Sequence, residues 1–344
     1  VTKRRSRASQ VPAILAVVVL AALLVGALMA AIGSLNRDVY SAGGFVRQYL
    51  DALARKDTAT ALALPGVMPT SAELEAARLS GELPRTLLRP SMLRSLEDIR
   101  LTDDTEISTG VHVVSSSFLI GGSRLSMKFT LERAGTVAGV FDSWRFRESP
   151  LAVLQVTVLH GAEFVVNKLA LDTRAHIAPD ATGFSNQAAY LAFAPSLYTL
   201  EVDTPLLSAA KSTVPVTTGG LTQLTVDAQP NEAFAKKVQA ELDNFLDQCT
   251  QQQVLLPSDC PFGIDIEDRV EGLPIWSITE YPPVSLVAGE ASYDMPVTPG
   301  MAHIVVEVQS LFDGEMSTRD EDVPFSVSLS VSIEPDNSLN IRLH

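Results

Sequence analysis

The chain has two cysteines, Cys249 and Cys260, and their chemistry depends on the compartment they occupy. Outside a membrane, two cysteines close in sequence read as a disulfide, whereas in a cytosolic enzyme they would more often be free or redox-active thiols. As a disulfide the pair closes a short loop and acts as a local staple, contributing about 3 kcal/mol in the chain-entropy picture. The histidines, His112, His160, His176, His303 and His344, are scattered, with no pair at i+2 to i+4 spacing. Zinc sites combine a local His/Cys pair with a distant partner, so no metal site is expected and each histidine reads as a strand or loop residue. Carboxylates cluster at Asp265-Ile-Glu267-Asp268 with Glu271, and at Asp320-Glu-Asp322. Neither run has the central glycine and terminal glutamate of a calcium loop, and both read as solvated.

Nucleophilic and phosphate chemistry are equally without a motif. The glycine pairs at 43–44, 121–122 and 219–220 lack the strand-turn-helix context and following Lys-Ser/Thr of a phosphate loop. No Gly-x-Ser-x-Gly elbow occurs, and Ser115-Ser-Ser117 lies in a strand pattern, where hydroxyls more often face solvent than attack a carbonyl. No catalytic residue and no cofactor are therefore assigned. Trp144 and Trp276 each begin a W-x-[F/I]-x-E-x-P string that includes Glu148 or Glu280 and ends at Pro150 or Pro282. A strand tryptophan is first of all a core residue, with its glutamate a polar edge group.

The elements that would position these residues begin with an anchor. Residues 11–33 read VPAILAVVVLAALLVGALMAAIG without a charge, long enough as a helix to cross a bilayer. A signal-peptide core is shorter, and Leu28 or Met29 stands where a processing site needs a small residue, so the expectation is an uncleaved transmembrane helix whose partner is the lipid bilayer. Lys3, Arg4, Arg5 and Arg7 precede it, which puts a cytoplasmic tail at 1–10 and the remaining chain outside the plasma membrane by the positive-inside rule. The formal net charge is −14 although that tail is basic. The outer part is thus strongly acidic, without a basic stripe, and no nucleic-acid partner is expected.

Behind the anchor the hydrophobic period alternates between helix and strand. Phe45, Val46, Tyr49, Leu50 and Leu53 mark one face of a helix, and a second helix is expected over Ser71 to Leu79 with Ser71 as its cap. From Leu96 the period becomes two, with turns at Thr109-Gly110, Gly121-Gly122 and Ala134-Gly135. Residues 39–150 therefore form an α+β unit. Residues 151–228 read as a small β-sandwich-like domain, with strands at Leu151 to Leu159, Glu163 to Leu171, Pro195 to Val202 and Thr222 to Val226. Residues 229–344 restart the first pattern: Phe234, Val238, Leu242, Phe245 and Leu246 on a helix, then strands, of which Phe325 to Ile333 alternates most clearly. Pro335 to Ser338 makes a turn into the last strand.

The helix-then-curved-sheet layout of 39–150 and 229–344 resembles the NTF2-like or cystatin-like α+β fold. Gly44-Phe-Val-Arg-Gln-Tyr-Leu-Asp-Ala-Leu-Ala54 is similar to the opening helix of small NTF2-like domains in exported actinobacterial proteins. Cys249, Pro257, Cys260-Pro-Phe-Gly263 and Trp276 match the C-terminal pattern of uncharacterised single-pass actinobacterial membrane proteins. The resemblance implies an architecture and no catalytic residue. It also implies a pocket in the mouth of each cone, for which Trp144 with Glu148 and Trp276 with Glu280 are the ligand-binding candidates. The functional expectation is a membrane-anchored binding or scaffolding protein of the cell envelope, with a wall polymer or another envelope protein as partner; the alternative is an enzyme using one such pocket.

Overall fold

The computed structural model describes residues 10–79, 82–176, 183–334, 336 and 338–344. The basic tail, and Pro335 and Asn337 of the expected final turn, lie outside the described residues. Helix α1, Gln10–Asp38, carries the apolar run, and its segment Leu15–Arg37 is long and apolar enough to cross a membrane. Its described apolar side chains, from Leu15 to Met29, are exposed, as expected of a helix whose partner is lipid. The rest of the chain is α+β, with short helices and several antiparallel sheets. The chain as a whole divides into two compact units: Val1–Gln155 with Ala189–Tyr198 and Thr213–Gln223, and Val156–Ala188 with Thr199–Ser212 and Leu224–His344.

In the first unit, α2 (Ala42–Ala54) is capped by Ser41, whose hydroxyl accepts from the Gly44 N–H, and it buries Val46, Tyr49, Leu50 and Leu53 as the periodicity predicts. Helix α3 (Thr58–Ala63), capped by Asp57, is too short to announce itself by periodicity. Helix α4 (Ser71–Ala76) starts one residue earlier than expected, because its cap is Thr70 and not Ser71. Only from Thr70 does Glu73 fall at the third helical position, and there the reciprocal capping box closes: the Thr70 hydroxyl accepts from the Glu73 N–H, and Glu73 Oε2 accepts from the Thr70 N–H at 2.7 Å.

The helices are followed by an antiparallel meander, β1 (Leu96–Ser108), β2 (Val111–Ile120), β3 (Ser123–Val137) and β4 (Phe141–Phe146), in that spatial order. Strand β1 is an exposed edge, rich in Asp and Glu and broken by register shifts, which makes it a poor template for pairing with another chain. Gly135 is not the expected turn; it sits at a bulge within β3, and the chain reverses at Ala138 and Gly139, both with positive φ. The buried side of the meander, with Phe118, Phe129, Leu131 and Phe146, shares its core with α2. Tyr49 packs edge-on against Phe129 and Phe146, and its hydroxyl donates to the Ala194 carbonyl at 2.8 Å. Gly66, with φ +79, is fixed by sterics, since a Cβ there would collide with the backbone of Phe146.

The middle of the chain supplies β5 (Ala152–Leu159), β6 (Glu163–Val166), β7 (Leu169–Asp172), β8 (Asn186–Ala192), β9 (Ser196–Asp203), β10 (Leu207–Val216), β11 (Gly220–Asp227) and β12 (Gln229–Pro230). They form two sheets, ordered β12, β10, β9, β6, β7 and β11, β5, β8. Glu163 to Leu171, expected as one strand, is the β6–β7 hairpin: Asn167 and Lys168 both have positive φ, as a two-residue hairpin turn requires.

In the second unit, α5 (Glu232–Thr250) is capped by Asn231 and buries Phe234, Val238, Leu242, Leu246 and Cys249. After it come β13 (Arg269–Val270), β14 (Ile275–Glu280), β15 (Val287–Ala288), β16 (Tyr293–Gln309), β17 (Met316–Ile333) and β18 (Leu339–Leu343). Strand β16 is the hub, pairing with β13, β14, β15 and β17, and β18 pairs with β17. Prolines at 296 and 299 disguise the first half of β16 in the sequence; a register shift between Met295 and Thr298 accommodates them. Cys249 and Cys260 form a disulfide. Together with the Trp276 indole, which donates to the Val254 carbonyl at 2.8 Å, it fastens the loop after α5.

Candidate functional site

The β5–β6 corner of the second unit, residues 160–163, is held from several sides. His160 adopts a positive φ of 56°, a conformation that costs a non-glycine residue on the order of 1 kcal/mol and persists only where neighbours over-determine it. Its backbone N–H donates to Ser185 Oγ at 3.2 Å, its carbonyl accepts from the Tyr293 hydroxyl, and its Nδ1 lies 2.6 Å from Asp227 Oδ1. Asn186, buried in β8, donates to the carbonyls of Gly161 at 2.9 Å and Gly183 at 2.7 Å. The buried Thr173 hydroxyl donates to the Ala162 carbonyl at 2.9 Å. These polar groups are satisfied internally, which is the condition for burying them at all.

Beside this corner lies a cavity of about 370 Å³, at the small end of the range for small-molecule pockets. Its apolar wall comes from Phe184, the β9–β10 turn (Pro205, Leu206 and Leu207), Tyr293 and Ile333, and its polar groups are His160, Glu163, Arg174, Asn186 and Glu334. Tyr293 packs edge-on between Phe184 and Phe234, with ring centroids 5.0 and 5.2 Å away. Burial pushes its phenol well above the ordinary tyrosine range, with Asp227 adding to the shift, so it stays a neutral donor. Arg174 is bound by Asp172, with Nη2 to Oδ2 at 2.8 Å, and reaches Glu163 at 3.4 Å. Burial works against the Asp172 carboxylate, but hydrogen bonds from the Arg174 side chain and backbone outweigh it and hold its carboxyl below the usual range. With that guanidinium held chiefly by Asp172, the cavity presents the carboxylate of Glu334, and that of Glu163 shared with Arg174, beside aromatic and aliphatic surface. It suits a small group with a positive or hydrogen-donating end.

The His160–Asp227 pair has the form of a braced general base, since a carboxylate on Nδ1 orients the ring and leaves Nε2 for proton transfer. Among the described residues no hydroxyl or thiol is hydrogen-bonded to that Nε2. The pair could not be found from sequence spacing, because 67 positions separate its members and only the pairing of their strands brings them together.

The residues singled out in the sequence lie elsewhere. Trp144 is buried and lines a second cavity of about 690 Å³ in the first unit. Its indole donates to the Tyr40 carbonyl at 2.7 Å, and Arg133 stands 5.6 Å from the ring centroid. Glu148 is exposed, accepts from Thr130 Oγ1 at 3.4 Å and is not among that cavity's lining residues. Trp276 is buried against Phe262, Glu280 is exposed at the end of β14, and neither lines either of these two cavities. No family model matches the chain, and neither a curated protein nor a solved structure does.

Proposed function

We propose that this chain is a membrane-anchored, extracytoplasmic binding or scaffolding protein of the bacterial cell envelope. The apolar helix preceded by Lys and Arg supports the anchor and its orientation, and the disulfide fits an oxidising compartment. In the same reading residues 39–150 and 229–344 are NTF2-like domains flanking a β-sandwich-like domain at 151–228. The layout of α2 followed by β1–β4, and of α5 followed by β13–β18, is what supports it. The ligand is the end of a wall polymer, or a side chain of another envelope protein, that carries an amine or hydroxyl donor. Trp144 is retained as a wall of a second binding position.

One observation favours binding over turnover: the polar groups of the second unit's cavity are engaged in holding its walls. His160 is tied to Asp227, Arg174 to Asp172 and the Tyr293 hydroxyl to the His160 carbonyl. The braced His160 favours the second reading, an enzyme in which it serves as general base. The two are separated with the full chain in nanodiscs, titrated with amine-bearing wall fragments and assayed against ester, phosphate and glycoside substrates. Binding predicts a raised melting temperature that Ala291→Trp abolishes by filling the cavity mouth, and no turnover. Turnover lost in His160→Ala would establish the enzyme instead.

A further inference from the structure

The tip of the β3–β4 hairpin is an unusual surface for an acidic protein. From Ala134, in the last residues of β3, to Val140 it reads AGTVAGV without a charge, and Val137 and Val140 are 49% and 44% exposed. This tip is tied to the end of the membrane helix. Asn36 in the last turns of α1 donates through Nδ2 to the Val140 carbonyl at 3.0 Å, and its Oδ1 accepts from the Asp142 N–H at 3.3 Å. Immediately beyond the helix, Tyr40 stacks on Phe141 with ring centroids 4.4 Å apart and an interplanar angle of 19°.

Depth follows from helix geometry. The apolar run ends at Gly33, before Ser34, and at ~1.5 Å per residue Asn36 lies only about 4.5 Å beyond it. With a hydrocarbon core of about 30 Å inside a bilayer of about 40–45 Å, that is the headgroup layer. The hairpin tip, bonded to Asn36, is at the same depth. Aromatic rings such as Tyr40 and Phe141 favour that layer, and small apolar side chains without charge are tolerated in it.

We infer that the β3–β4 hairpin tip is a second membrane contact, which seats Val137 and Val140 in the lipid interface beside the spanning helix and fixes the first unit's attitude to the bilayer. The occupant of this surface is the lipid of the membrane that α1 crosses, and the argument is independent of which side the domains face.

The test uses the full chain in nanodiscs. Both native cysteines are in the disulfide, so an added cysteine is the single labelling site. Val137→Cys, Val140→Cys and, at the far end of β3, the exposed Ser123→Cys each receive an environment-sensitive fluorophore. Labels at 137 and 140 should emit to the blue of the 123 label and be quenched by lipids spin-labelled near the headgroup, while the 123 label stays water-like and unquenched. Labels at 137 and 140 that behave like the 123 label would overturn the inference. So would equal quenching at all three positions, which would mean that the sheet lies flat on the bilayer.

Discussion

At the scale of single residues, the informative side chains are polar ones in apolar places. Ser116 points into the core of the first unit between Val114 and Phe118, and its hydroxyl has no partner among the described residues. The sequence suggested solvent-facing serines at 115–117; alternation in β2 turns the middle one inward, and only Ser115 and Ser117 keep partial exposure. An unpartnered buried hydroxyl costs more than it returns, so Ser116→Ala should raise stability by about 1 kcal/mol, read as a higher denaturant midpoint at unchanged slope. A lower midpoint would mean that the hydroxyl has a partner. His112, His160 and His303 each stand next to an aspartate, respectively Asp104, Asp227 and Asp322. None of these pairs is visible as a local motif, because each joins residues on neighbouring strands or strand ends. Local spacing finds chemistry only where its residues are close in the chain, as Cys249 and Cys260 are, which is why the cavity escaped the sequence and the disulfide did not.

Among the elements, legibility followed the strength of the period. Strand β17 was plain because serines and apolar residues alternate, and α5 because its apolar face repeats turn after turn from Phe234 to Leu246. Prolines concealed the first half of β16, and α3 is shorter than a hydrophobic period can resolve. The cap of α4 was misplaced by one residue, and its energetics can be tested. Burial raises the Glu73 carboxyl, but hydrogen bonds from the N–H groups of Thr70 and Ser149 and from the Thr70 hydroxyl prevail and lower it below the usual glutamate value of 4.5. Because the folded value lies below the unfolded one, this stabilisation is present above about pH 4.5 and is lost as the pH falls through the folded value. Thr70→Ala should destabilise the protein by about 1 kcal/mol at neutral pH. Glu73→Gln should flatten the loss of stability below pH 4.5, measured as the denaturant midpoint against pH; an unchanged acid limb would exclude Glu73 as a contributor.

For the whole molecule, an apolar helix is followed by acidic folded sequence in two units, the second of which carries a disulfide. If the disulfide staples the loop after α5, reducing it should lower the second unit's stability by about 3 kcal/mol and leave the first unit's unfolding transition in place. Hydrogen exchange resolved by unit would register both. The broad architecture was legible because one charge-free run and a regular change of period announce anchor, helices and sheets. The cavity was not, since it is assembled from strand ends and turns between residues 160 and 334.

The central claim, that the folded units face out of the cell from a single membrane anchor, has a direct test in intact, wall-stripped cells that express the chain tagged at both ends. External protease should destroy the tag after His344 and spare the tag before Val1 until the membrane is opened. A C-terminal tag that survives until the membrane is opened would contradict it.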